Sequence, residues 1–161
     1  MTRVKGIVSV MSTAVLAMSF CVAVASPAWA EPYPQTSATA ANILTFENTG
    51  TGRCLDDSWD YNLRAYYCNN GDWQEWEQII QGSGFWWVLR NVHTGRCADD
   101  SFSYGLRAYP CNYSWYQEWH YRPWRPELRN SRTDECMDDY GSVNLRSLTC
   151  NGSVWQEWTA S

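Results

Sequence analysis

Three aspartate pairs, Asp56-Asp57, Asp99-Asp100 and Asp138-Asp139, each stand two positions after a cysteine, and each is followed by an arginine, Arg64, Arg107 or Arg146. Paired carboxylates can run glycoside hydrolysis, but that chemistry needs two acids in different environments facing one bond, ~5 Å or ~6.5–9.5 Å apart. Neighbouring residues of a strand point to opposite faces, and three equal copies imply three equal sites. That symmetry suits binding rather than catalysis. Asp56, Asp57 and Asp60 are a calcium pattern only in the first copy, because the other two copies lack the third acid. A zinc site would need close Cys-x-x-Cys pairs, which the spacing does not supply. His93 and His120 are not repeated and stand beside no serine or cysteine nucleophile, so both read as surface residues. No catalytic residue, metal or cofactor is expected.

The elements that hold these acids repeat with them. From Cys54 to Trp76, Cys97 to Trp119 and Cys136 to Trp158 the chain writes one 23-residue stretch three times, with 14 positions between the cysteines and ten positions identical in all copies. The repeats run at about 43–84, 85–124 and 125–161. Each opens on an apolar residue, an Asn and a polar turn: Phe46-Glu47-Asn48, Leu89-Arg90-Asn91, Leu128-Arg129-Asn130. Apolar segments of four to six residues between turns read as short strands. Asn62, Gly105 and Asn144 occupy one position and accept positive φ, which places a tight turn there. After it the pattern alternates, with Leu63, Ala65 and Tyr67 on one face and Arg64 and Tyr66 on the other. Ile79 to Val88 reads as a hairpin around a glycine-rich turn. Its counterpart from Tyr121 to Glu127 is shorter, carries Pro123 and Pro126, and is expected to be irregular.

Residues 1–30 read as a secretory signal peptide. Arg3 and Lys5 precede an apolar run from Gly6 to Ala25, and Ala28-Trp29-Ala30 supplies small residues for cleavage. An uncleaved anchor is the rival, since the run approaches the ~20 residues of a membrane span, but Pro27 and the Ala-x-Ala site favour cleavage. A lipid on Cys21 is excluded by Phe20, where a small residue is required. Residues 31–42 read as a flexible lead into a domain at 43–161. Cleavage removes Cys21, leaving six cysteines, for which 15 pairings exist. If the repeats fold alike, each closes its own loop: Cys54 with Cys68, Cys97 with Cys111, Cys136 with Cys150. It also removes Arg3 and Lys5, so ten cations, all arginine, face 17 acids for a net charge of −7. An acidic chain without a basic run argues against nucleic acid or an anionic membrane as partner.

The framework Cys54-Leu-Asp56, Cys97-Ala-Asp99 and Cys136-Met-Asp138, then Cys68, Cys111 and Cys150, then Gln74-Glu-Trp76, Gln117-Glu-Trp119 and Gln156-Glu-Trp158, resembles the ricin-type β-trefoil lectins. The likeness covers everything after residue 43. It implies an all-β fold, a β-trefoil of three internal repeats each closed by one disulfide, with the three tryptophans in the core and the three glutamines on backbone groups. It implies that Asp56, Asp99 and Asp138 accept hydrogen bonds from sugar hydroxyls, for which an acceptor-only carboxylate is suited. It implies a stacking ring at Tyr66 and Tyr109, where the third unit has Leu148, so the third pocket is expected to be impaired. Arg64, Arg107 and Arg146 are read equally as partners of the aspartates or as ligand groups. The second aspartates, Asp57, Asp100 and Asp139, are expected to cap turns, and Asn69, Asn112 and Asn151 to be turn residues.

Two differences from the family stand out. Trp73, Tyr116 and Trp155 precede the glutamines where a sugar-contacting Asn is common, and the segment between the cysteines is short. Trp59 and Phe102 in that segment either wall the pocket or pack over the disulfide. The function implied is a secreted, extracellular, non-catalytic carbohydrate-binding lectin with two or three weak sites for a glycan or polysaccharide. The alternative is an extracellular trefoil that binds a protein or has lost sugar binding.

Overall fold

In a computed structural model the described residues are 42–82, 84–141 and 145–161. Residues 1–41 lie outside them, so the signal peptide and nearly all of the flexible lead do too, as does Asn144.

Among the described residues thirteen short strands follow one another: β1 Asn42–Leu44, β2 Phe46–Asn48, β3 Arg53–Ser58, β4 Asn62–Tyr67, β5 Trp76–Gln81, β6 Trp86–Asn91, β7 Arg96–Ser101, β8 Gly105–Pro110, β9 Glu118–Arg122, β10 Arg125–Asn130, β11 Glu135–Asp138, β12 Arg146–Thr149 and β13 Trp158–Ala160. They form a closed ring bearing three hairpins. The ring runs from β1 to β5, β6, β9 and β10, crosses to β13's neighbourhood through a bridge between Glu127 and Glu157, and returns as β13 pairs with β2. The hairpins β3–β4, β7–β8 and β11–β12 hang from β2, β6 and β10 respectively. This is the β-trefoil. Asn62 and Gly105 have φ of 61° and 65°, as the turn requires. The hairpin β5–β6 pairs without interruption, whereas β9–β10 shifts register between Arg125 and Arg129, the irregularity that the two prolines foretell.

The core is built in threefold layers because each unit donates the same positions. Trp76, Trp119 and Trp158 are wholly buried, and their indole N–H groups donate to the carbonyls of Leu55, Ala98 and Met137 at 2.9–3.0 Å. Phe46, Leu89 and Leu128 form a second buried layer. A Trp buries some 150–250 Å² and also needs a partner for its N–H, which the strand carbonyls supply. The apolar face of β4 ends at Ala65: Tyr67, expected beside it, is exposed.

The three disulfides pair as the repeat implies, Cys54 with Cys68, Cys97 with Cys111 and Cys136 with Cys150, with Cα atoms 5.0–5.1 Å apart. Gln74 accepts from the Asn69 N–H and donates to the Tyr67 carbonyl, both at 2.9 Å, and Gln117 and Gln156 repeat the arrangement. Asn69, Asn112 and Asn151 each turn the chain by accepting from the N–H two residues on.

The second aspartates do not cap their own turns. Asp57, Asp100 and Asp139 are buried and each grips the next unit. Asp57 accepts from the Thr94 hydroxyl and from Arg96, whose Nε lies 3.1 Å away. Asp139 closes the circle onto the first unit, accepting from Thr51 and from Arg53 Nε at 3.0 Å. Asp100 accepts from Thr133, but the arginine position there is Glu135, and the Ser147 hydroxyl fills in at 2.8 Å. A turn cap would keep each of these aspartates within its own unit, whereas the partners lie 33 to 47 positions onward for Asp57 and Asp100. The same seams are sealed by Asn48, Asn91 and Asn130. Their side chains donate to the carbonyls of Trp155, Trp73 and Tyr116 at 2.7–2.8 Å and accept from N–H groups of their own turns.

Candidate functional site

Each cysteine hairpin sets its first aspartate directly opposite its arginine, since Asp56 pairs in register with Arg64, Asp99 with Arg107 and Asp138 with Arg146. Opposite residues of an antiparallel pair share a face. The arginine Nε atoms therefore reach the carboxylates at 2.7, 2.9 and 2.8 Å. The carboxylates are buried.

Tyrosines cover these arginines. The Arg64 guanidinium lies 4.6 Å from the Tyr61 ring centre and 4.2 Å from that of Tyr66, and Arg107 lies 4.5 Å from Tyr104 and 4.1 Å from Tyr109. A cation over an aromatic face at such range is attracted by the ring quadrupole. The third unit has Val143 and Leu148 at these positions in the sequence, and among the described residues the one ring that Arg146 lies over is that of Tyr140, at 5.2 Å. Side-chain exposure follows the loss: 16% for Arg64, 23% for Arg107 and 48% for Arg146. The candidate residues Asp56, Arg64 and Tyr66 thus come together, as do Asp99, Arg107 and Tyr109, while Asp138 has its arginine but Leu148 in place of the tyrosine at that position.

The units differ beyond that. Asp56 is engaged at both oxygens, by Arg64 and by the Gln74 amide at 3.2 Å. Asp99 accepts from Arg107 through Oδ1, and among the described residues its Oδ2 has no protein partner. Asp99 lies on a cleft of about 180 Å³ in the second unit, with Arg107, Tyr104, Tyr116, Asn112 and Ser114 around it. The Ser114 hydroxyl is buried without a hydrogen bond, a polar atom whose desolvation is uncompensated by the protein. Tyr109 is not in the cleft wall; one face of its ring is spent on Arg107.

Tyr104 and Tyr116 are the aromatic walls instead. Tyr116 was visible in the sequence as a departure ahead of Gln117, and Tyr104 only as the partner of Tyr61 across the repeats. The other two aromatics ahead of the glutamines are used at seams. Trp73 stacks on His93 with ring centres 3.6 Å apart, while His93 Nδ1 meets Asp72 at 2.8 Å. Trp155 lies against Gly50, where a Cβ would come within 2.5 Å of the indole. Trp59 stands under Arg96 of the next unit at 4.7 Å, and Phe102 meets Tyr116 edge-on at 6.1 Å.

On β9, burial raises the Glu118 carboxyl, while burial and then Arg122 and Arg129 lower the His120 imidazole. Among the described residues no group of three or more His, Cys, Asp or Glu could hold a metal ion, and no helix is long and apolar enough to cross a membrane.

No curated protein matches the sequence. Solved structures do match. The designed 3-fold symmetric protein ThreeFoil aligns with a TM-score of 0.65 at 18% identity, over 73% of this chain and 96% of its own. The hemolytic lectin CEL-III aligns at 0.60 and 19%, over 72% of this chain and 29% of its own. The Polyporus squamosus lectin, solved with the epitope Neu5Acα2-6Galβ1-4GlcNAc, aligns at 0.64 and 13%, over 77% of this chain and 50% of its own. This chain thus spans half or less of the two lectins' length, and at these identities the likeness is one of fold. The family profile described as the ricin-type beta-trefoil lectin domain matches residues 42–158. A match over that extent settles membership: the chain belongs to the ricin-type β-trefoil lectin family.

Proposed function

We propose that this protein is a carbohydrate-binding lectin that holds a glycan at the cleft of its second unit and performs no chemistry on it. The observation that carries the reading is the cleft itself. It brings a carboxylate with an uncommitted oxygen, an arginine, an amide and an orphaned hydroxyl between two tyrosine rings. Acceptors and donors of that kind match the vicinal hydroxyls of a sugar, and flat rings match its C–H face. Catalysis would need a second carboxyl group in the same cleft. The neighbouring Asp100 is turned away into the seam with the third unit.

The first unit is the weaker candidate, since Gln74 already occupies the second oxygen of Asp56. The third lacks its tyrosines and is weaker still. Multivalency is then modest, and a polymer gains less than it would from three equal sites. Export through residues 1–30 is part of the proposal; N-terminal sequencing of protein recovered from the medium should begin at Glu31. A protein ligand is the second reading, favoured by the closed arginine–aspartate pair of the first unit.

Calorimetric titration after a glycan array decides between them. Asp99→Asn should weaken glycan binding by about 1.5–3 kcal/mol, the worth of a charged hydrogen bond, and Tyr104→Ala should weaken it with the melting temperature little changed. Asp138→Asn should leave binding as it is. Binding that is indifferent to both Asp99→Asn and Tyr104→Ala would overturn the site.

A further inference from the structure

Tyr113 stands in the left-handed region, with φ of 55°. The equivalent residues of the other two units are Asn70, at 57°, and Gly152, at 68°. Asn and Gly enter that region readily, whereas a bulky L-residue does so only at a cost. The Tyr113 N–H donates to the buried Gln117 Oε1 at 3.1 Å and so helps to hold the backbone there, but that bond makes no use of the ring. In the third unit a Cβ built at Gly152 meets nothing within 4 Å, so the position asks for no side chain there. Tyr113 is 40% exposed, and among the described residues its ring stacks on no other ring and carries no cation. Two residues on, Trp115 is 63% exposed where the other units have Asp72 and Val154. The second unit alone has traded a small polar loop for Asn112-Tyr113-Ser114-Trp115-Tyr116. In that loop Asn112, Ser114 and Tyr116 line the cleft, and the two exposed rings alternate with them.

We propose that Tyr113 and Trp115 form a further subsite, which receives a second ring of the glycan chain whose first ring occupies the cleft. The proposal rests on the cleft reading above and names the ligand class: an oligosaccharide of at least two residues rather than a single terminal sugar. A strained aromatic without an internal partner is a residue held for something outside the fold. The occupant is a sugar because the rings continue a loop that already presents an amide, an orphaned hydroxyl and a tyrosine to the cleft. An exposed ring flanked by hydrogen-bonding groups suits the alternating C–H and O–H faces of a pyranose chain.

The test compares galactose, xylose and N-acetylglucosamine with their β1,4-linked tetramers, by calorimetry, on the parent protein and on Tyr113→Asn, Trp115→Val and Asp99→Asn. The parent should bind one tetramer clearly more tightly than its monomer. Tyr113→Asn and Trp115→Val, which install residues found in the other units, should each weaken that tetramer roughly five- to tenfold, the range of an aromatic contact, and leave the monomer within about twofold. Tyr113→Asn should also raise the melting temperature by about 3 °C, because strain is relieved. Equal affinity for monomer and tetramer, a tetramer indifferent to both ring substitutions, or a lower melting temperature for Tyr113→Asn would each overturn the subsite. If Asp99→Asn still weakens both sugars in such a case, the cleft reading stands without the subsite. If the parent binds none of the six sugars, or Asp99→Asn alters nothing, the cleft reading falls and the subsite with it.

Discussion

Asp56 and Asp57 differ by one position and therefore by one face of β3. The first turns to Arg64 across its own hairpin; the second turns to Thr94 and Arg96 of the next unit. The pairing of Asp56 with Arg64 is legible in the sequence, because both recur in every unit at a spacing that a two-stranded hairpin converts into contact. The role of Asp57 is not, because its partners are far along the chain and only the trefoil brings them near. Tyr109 is a different case: its position implies a sugar platform, while in the structure one face of its ring goes to Arg107, two residues away on β8. Burial decides the energetics. Asp57→Asn leaves Arg96 with a side chain 16% exposed and its main partner gone, so the cost should be about 3 kcal/mol. Asp100→Asn removes hydroxyl bonds and strands no arginine, and should cost about 1–2 kcal/mol. Urea midpoints of the two variants check the order. Trp119→Ala deletes a wholly buried ring and should cost about 3–5 kcal/mol; a midpoint near that of the parent would remove Trp119 from the core.

The cysteine hairpins carry the site, and their register was readable from small residues. Asn62 and Gly105 fix the turn, and a one-residue slip would carry every side chain to the other face. What composition did not reveal is which strands close the ring, since β2–β13 and β6–β9 pair residues far apart in sequence. Nor does residue type announce a left-handed Tyr113 or Asp134, the latter at φ of 66° where Gly52 and Gly95 serve the other units. The turn before β11 is the odd one of the three, reading Thr133-Asp134-Glu135 against Thr-Gly-Arg elsewhere. Glu135→Arg should therefore supply Asp100 with the guanidinium that Asp57 and Asp139 already have, and raise stability by about 1 kcal/mol even with Ser147 in place. Asp134→Gly should be neutral to mildly stabilising, because its ion pair with Arg129 is exposed on both sides and worth little, while glycine relaxes the backbone. Thermal melts of the two variants and of their combination measure both effects.

For the molecule as a whole, threefold repetition was plain in the sequence, and with it the core tryptophans and the disulfides. The direction of the seams was not: each unit's aspartate holds the unit after it, and Asp139 holds the first. With every seam made by contacts from two units, melting should be a single cooperative transition, and reduction of the disulfides, each worth roughly 3 kcal/mol in the chain-entropy model, should lower its midpoint without splitting it. Calorimetry with and without reductant tests that. Thr45 and Ser161 exchange backbone hydrogen bonds at 3.0 Å, continuing the pairing by which β13 closes against β2. A polypeptide rewired to run from Trp124 through Ser161, across a short linker, into Asn42 and on to Pro123 would keep every pairing except the β9–β10 tip. Loop closure of that size costs little, so the permuted protein should fold, oxidise to the same three disulfides and melt within about 2 kcal/mol of the parent. The order in which the ribosome delivers the three units is then a matter of genetics alone, and the folded object is a cycle with no privileged beginning.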